Sequence, residues 1–246
     1  MRILISIDDT DDADSKGTGE IAEIIAGALV DAGLASVGRV TRHQLLIHPD
    51  IAYTSHNSSM CFDAEIAAED LDAVIALCAQ TLAAESVAVA DPGLAVVVPE
   101  RLADPDALMA FGVAAKERVI TKEEAYRLAE ELQVHLSEHG GTGIGVIGAL
   151  AGVGLKMTGN DGRFKGKFQL MADTDGVADV ARIKRQDVDD VRTLDGASLG
   201  DQERVLVGTD CKLILQDGLA VLMVQPSPED SAATWSVVDR KALRAF

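Results

Sequence analysis

An apolar run at the start of the chain ends abruptly in charge. Arg2-Ile3-Leu4-Ile5-Ser6-Ile7 has the make-up of a buried strand, and it runs directly into Asp8-Asp9-Thr10-Asp11-Asp12. Four carboxylates within five residues repel one another unless something positive sits between them. A solvated acidic turn is one resolution. The run's place at the carboxyl end of a buried first strand, where α/β layers collect their ligands, favours another: a bound divalent cation. Mg²⁺ takes carboxylate oxygens, keeps several waters and is usually completed by substrate phosphates. Asp8, Asp9, Asp11 and Asp12 are therefore the candidate metal ligands, Thr10 is a candidate nucleotide contact, and the expected ligand is a nucleoside triphosphate such as ATP.

Two further segments fit that chemistry. Lys16-Gly17-Thr18-Gly19-Glu20 stands at a helix start, where backbone N–H groups and the helix dipole attract phosphate, although the spacing is not that of a Walker A loop. Thr54-Ser55-His56-Asn57-Ser58-Ser59 gives six consecutive hydrogen-bonding side chains between two apolar strands, a composition shared by loops that wrap a triphosphate and by ordinary polar loops.

Periodicity organises the rest. A helix is expected from Gly19 to about Ala32, capped by Gly33; strands over 37–47 and 59–66; a helix over 69–82; and a strand over 94–98. The order β-α-β-β-α-β predicts a ferredoxin-like layer over residues 1–102. The pattern then turns helical beyond Pro99 and Asp104-Pro105, which sets the expected domain boundary, with a second α+β ferredoxin-like domain over 103–246. Thr121 and Glu124 read as a capping box opening a helix to about Glu138. On that helix His135 and His139 would form a surface pair. The stretch Gly141 to Gly154 reads as a loop and then a tightly packed helix. Strands are expected over 164–171, 177–183, 203–207 and 219–224, and a loosely held tail after Pro226.

Composition narrows the function. The formal charge of −18, from 40 acidic against 22 basic residues, opposes polyanionic partners and anionic membranes. The basic clusters Arg163, Lys165, Lys167 and Arg182, Lys184, Arg185 are short and read as solvated faces. Three cysteines without C-x-x-C spacing argue for a reducing, cytoplasmic setting and against a zinc knuckle, and Cys61 reads as core. Neither a signal peptide nor a transmembrane run is apparent.

Longer motifs carry a family resemblance. Ile7-Asp8-Asp9-Thr10-Asp11, the segment from Thr41-Arg42 through Pro49-Asp50-Ile51 to Asn57, and Gly143-Ile144-Gly145-Val146-Ile147-Gly148-Ala149-Leu150-Ala151-Gly152-Val153-Gly154 resemble the kinase-like and agmatine-binding domains of archaeal tRNA-isoleucine agmatidine synthetases. That resemblance implies an enzyme that uses ATP and Mg²⁺ to phosphorylate a cytidine carbonyl oxygen and then replaces it with an amine. It implies that Asp8, Asp9 and Asp11 hold metal and reacting phosphates. Lys16, Gly17, Thr18, Arg42, Ser55, His56, Asn57 and Ser58 would then lie about the nucleotide, with Thr18 a candidate for the family's phosphorylated threonine. The family's RNA-binding barrel and zinc ribbon have no counterpart here, and Lys165 stands where an acid would attract a guanidinium.

The expected function is ATP- and Mg²⁺-dependent phosphoryl transfer to an oxygen of a small molecule or nucleoside, with amine substitution as a possible second step. The alternatives are a non-catalytic, partner-dependent nucleotide-binding subunit and a tRNA cytidine modification whose RNA-binding parts come from another chain; a homo-oligomer is left open. The charge predicts that the isolated chain shows no measurable binding of bulk tRNA at near-physiological salt in a filter-binding assay. Tight binding that weakens steeply with added salt would make tRNA modification the leading reading.

Overall fold

The computed structural model describes residues 1–12, 14–51, 56–208, 210–229 and 231–245. The chain opens with β1 (Arg2–Asp8), α1 (Thr18–Asp31), β2 (Ala35–Val37), β3 (Thr41–Gln44), β4 (Ser58–Ile66), α2 (Leu71–Glu85) and β5 (Gly93–Val97). The strands run in the order β5-β1-β4-β3, all antiparallel, with β2 also on β4. The strand expected over 37–47 is broken in two. At Gly38 a Cβ would lie 2.6 Å from the Asp63 carboxylate, so the chain turns there without a side chain and resumes as β3. Gly33, at φ +69°, closes α1 as expected, and Leu34 N–H returns to Leu29 C=O.

Both faces of this sheet are covered, which explains why β1 is apolar from Ile3 to Ile7 apart from the buried Ser6. Ile3, Ile5, Ile7, Phe62, Leu94 and Val96 form one core with α1 and α2. Leu4, Cys61, Ala95 and Val97 form another with α3 (Pro105–Glu117), α4 (Lys122–Leu132) and α5 (Val146–Met157). The change of pattern near residue 100 thus marks a change of layer. The compact units are Met1–Thr158 and Gly159–Phe246, and do not part after residue 102.

Thr121 caps α4 through Glu124 N–H at 3.2 Å. The helix expected to reach Glu138 stops at Leu132, where Gln133 adopts φ +54°. The chain continues as β6 (His135–Glu138), antiparallel to β5. His135 and His139 are therefore not on a helix. They lie either side of the Ser137 hydroxyl, at 2.9 and 2.8 Å.

α5 lies unusually close to its neighbours because its contact positions lack side chains. A Cβ on Gly148 would fall 1.7 Å from Asp8 Oδ2, on Gly152 2.4 Å from Ser59 Oγ, and on Gly154 2.2 Å from the Leu108 carbonyl of α3. From Gly148 to Lys156 every residue of α5 is buried. Below it runs a polar seam. The Thr41 hydroxyl donates to Cys61 C=O at 2.9 Å, lies 2.8 Å from His43 Nε2 and receives Lys156 Nζ at 3.3 Å, while Lys156 also pairs with Asp63 at 3.6 Å.

The second unit carries β7 (Arg163–Phe164), β8 (Val177–Asp179), α6 (Val180–Lys184), β9 (Asp190–Thr193), β10 (Arg204–Leu206), β11 (Leu213–Gln216), β12 (Leu219–Pro226) and β13 (Trp235–Val237). Its strands run β7-β11-β12-β13-β10-β8, with β9 parallel to β12. This strand-rich order, with one five-residue helix, differs from the ferredoxin-like arrangement expected of the C-terminal part. Three expectations shift in detail. The strand over 164–171 shrinks to β7 and an isolated bridge from Phe168 to Cys211; that over 177–183 becomes β8 and then α6, with Asp179 capping the Arg182 N–H; and the tail is held, since β13 pairs with β12 and β10 and Leu243 is buried. Lys167, Arg182 and Lys184 are paired with Asp210, Asp173 and Asp190.

Among the described residues no helix is long and apolar enough to cross a membrane. Backbone crowding at Gly154 gives a stability test. Gly154→Ala should cost about 2 kcal/mol or more, because the Leu108 carbonyl cannot yield, whereas Gly27→Ala, with open space on exposed α1, should gain about 0.5–1 kcal/mol. Urea unfolding of both variants beside the wild type measures the contrast.

Candidate active site

β1 delivers Asp8 at its last position, and the chain turns sharply there because Asp9 adopts φ +55°. Asp tolerates this left-handed region better than most residues. Asp8 is 9% exposed, its carboxyl pressed against the side-chain-free flank of α5 at Gly148. Burial, then the neighbouring Asp9 and Asp11 charges, push it up to about 8, so it is largely protonated at neutral pH. Asp9 is pushed up to about 6 by burial and by the Asp91 carboxylate, partly offset by the Asp91 backbone N–H.

The acidic loop separates two concavities. The larger, about 350 Å³, is lined by the acids Asp8, Asp9, Asp50 and Asp91, by Arg118 and Thr142, and by the apolar Leu45, Ile51, Ile120, Ile144 and Ile147. Asn57 also lines it, its amide donating to Leu46 C=O at 2.6 Å. The smaller recess, about 160 Å³, is lined by Asp11, Gly17, Thr18, Gly19, Arg42, His56, Ser58 and Met60. Thr18 Oγ1 donates to Asp11 Oδ1 at 3.0 Å, and Arg42 Nε to Ser58 Oγ at 2.9 Å. The start of α1, the β3 face carrying Arg42 and the start of β4 thus meet around Asp11, although they are far apart in sequence.

Other candidates lie elsewhere. Lys16 is exposed and pairs with Glu85 at 2.5 Å, lining neither concavity. Thr10 is fully buried, its hydroxyl without a partner among the described residues, and its carbonyl receives Val87 N–H at 3.2 Å. Asp12 closes its own turn, with its N–H on Ser15 Oγ and its carboxylate accepting Asp14 N–H. Ser55, with Thr54, lies outside the described residues.

Asp91 is a site residue that sequence reasoning missed. Its carboxylate accepts N–H bonds from Thr142 and Gly143, and its carbonyl accepts Gly145 N–H at 3.0 Å. One residue thereby ties the glycine loop before α5 to the acidic loop. Asp-Pro-Gly at 91–93 signals an ordinary turn equally well, so nothing local reveals this role. Lys156 was likewise missed, since its partners Thr41 and Asp63 come from distant strands.

Among the described residues no group of three His, Cys, Asp or Glu side chains is arranged to enclose a metal unaided. The donor set still fits Mg²⁺ as this ion is commonly held, by one or two carboxylates with phosphates and waters completing the shell. A carboxyl kept protonated by burial and like charge is one that a cation would ionise.

Between about pH 4 and pH 8 folded Asp8 holds a proton that the unfolded chain, at 3.8, has released. Stability from this group therefore falls as pH rises through that window. Asp8→Asn should be more stable than the wild type at pH 8 by at least about 1 kcal/mol, with the difference shrinking toward pH 5. Denaturant titrations at the two pH values test this; a difference independent of pH would reject the protonated state.

No protein-family model matches the chain, and no curated protein matches it in sequence. Solved structures do match in fold. A tRNA fluorescent labeling enzyme and the complex of TiaS with an isoleucine tRNA and ATP each share 26% identity at a TM-score of 0.55, covering 63% of this chain and 36% of theirs. The complex of TiaS with the same tRNA, AMPCPP and agmatine shares 25% identity at a TM-score of 0.53, covering 62% and 36%. The chain thus spans little more than a third of the structures it matches. Within that span its fold is similar to that of TiaS, an agmatidine synthetase acting on an isoleucine tRNA.

Proposed function

We propose that this chain is an ATP-dependent enzyme, similar in coarse function to agmatidine synthetases, which phosphorylates an oxygen of a small molecule or nucleoside so that an amine can replace it. The observation that carries this reading is the sharing of one acidic loop between two concavities, Asp11 facing the recess and Asp8 and Asp9 the cavity. The triphosphate is assigned to the recess and the acceptor to the cavity. The TiaS structures in complex with ATP, with AMPCPP and with agmatine support the same chemistry.

Each residue then has a physical task. The first turn of α1, from Thr18, offers N–H groups to phosphate oxygens. Arg42, oriented by Ser58, neutralises phosphate charge, and His56 and Ser58 add donors. Asp8, Asp9 and Asp11 would hold Mg²⁺, which when bound offsets the charge developing on the transferred phosphoryl group. Leu45, Ile120 and Ile147 keep water from the cavity side. Residues 1–102 are assigned the nucleotide and metal. The second-substrate role foreseen for 103–246 falls, within the first unit, to the glycine loop and α5.

Calorimetry with ATP in Mg²⁺ and in chelator tests the reading. Affinity should fall at least about tenfold (about 1.4 kcal/mol) without metal, and likewise in Asp11→Asn or Arg42→Ala with metal present. Equal affinity with and without metal would remove the metal site. Tight metal-dependent binding with no phosphate release from any nucleoside or amine mixture would favour the non-catalytic subunit.

A further inference from the structure

The second unit contains a cavity of about 440 Å³ with a different chemistry from the acidic site, and all its lining residues lie within that unit. Three cations reach it from three separate segments: Lys167 after β7, Lys212 at the start of β11 and Arg240 after β13. Ser236 adds a hydroxyl, and Leu206 and Val237 supply an apolar wall.

Two of these cations are only lightly held. Lys167 pairs with Asp210 at 2.8 Å, but both side chains are about half exposed, and a pair so open to solvent contributes little. Among the described residues the Arg240 guanidinium has no acceptor. Lys212 donates to Gly166 C=O, which orients its ammonium group. Asp239 faces the same space as an acceptor, its Oδ1 also receiving Lys241 N–H at 2.7 Å.

The wider field agrees. More than half of the chain's 22 basic residues fall in the second unit, which has little more than a third of the residues, so the −18 charge is carried mostly by the first. An anion repelled from the acidic loop meets much less opposition here.

We propose that this cavity binds a small phosphomonoester whose body carries hydroxyl groups. Lys212 and Arg240, with Lys167 released from Asp210, hold the phosphate; Ser236 donates to it; and Asp239 accepts from a ligand hydroxyl while Leu206 and Val237 cover the carbon skeleton. Cationic groups converging with a hydroxyl above an apolar wall suit a phosphate on a polyol better than a bare anion.

Ribose 5-phosphate, inorganic phosphate and a short single-stranded RNA, each titrated into the full chain by calorimetry at near-physiological salt, provide the test. Saturable binding of ribose 5-phosphate is expected, tighter than inorganic phosphate and weakened at least tenfold in Lys212→Ala and in Arg240→Ala. Both are surface changes, and unchanged melting would confirm folding. Asp239→Asn should weaken ribose 5-phosphate while leaving inorganic phosphate unaffected. Arg42→Ala should leave ribose 5-phosphate binding intact, which separates this cavity from the nucleotide recess. Absence of saturable binding, or binding indifferent to Lys212→Ala and Arg240→Ala, would overturn the proposal. Salt-sensitive binding of RNA without binding of ribose 5-phosphate would overturn it in favour of a nucleic-acid face.

Discussion

Everything at the acidic site follows from placing a carboxyl at the end of a strand buried on both faces. β1 can be almost wholly apolar from Ile3 to Ile7 only because helices cover each side of its sheet, and the same coverage removes water from Asp8. With Asp9 and Asp11 adjacent, ionising Asp8 would put like charges together in a poorly solvated corner. The fold keeps a proton there in the absence of a cation. Such a corner is costly for a protein with no use for positive charge and suits one that exchanges the proton for a metal.

Charge is also partitioned along the molecule. The acidic loop and its cavity belong to a strongly acidic unit, while cations converge on a cavity in the less acidic one. A mean charge of the whole chain therefore describes neither site. What approaches each is decided by local fields over about one Debye length, near 8 Å in physiological salt.

The sequence was informative where function rests on local chemistry. The end of β1 at Asp8, the start of α1 beside Gly17 and the loop-then-helix reading of 141–154 were all legible, because each depends on neighbours within a few residues, whereas the expected β-α-β-β-α-β order gains a fifth strand where the run over 37–47 breaks at Gly38. The gathering of Asp11, Thr18, Arg42 and Ser58 was visible only through the family resemblance. Asp91 stayed hidden because its partners lie some fifty residues further on. The helix expected to reach Glu138 failed because its helical spacing continues past Gln133, where a left-handed backbone ends it. Packing decided the limits of the first unit: α3, α4 and α5 look like a new domain in sequence but serve as the second cover of the first sheet.

The glycine flank of α5 has a mechanical consequence. Where side chains separate a helix from a sheet, part of a small displacement can be taken up by rotamer changes. At Gly148 and Gly152 no χ angle exists, and the helix backbone bears directly on the Asp8 carboxyl and the Ser59 hydroxyl. Ile147, on the adjacent position of the same helix, lines the cavity. A molecule that presses on Ile147 therefore bears on a helix with no side chain to yield between its backbone and the Asp8 carboxyl.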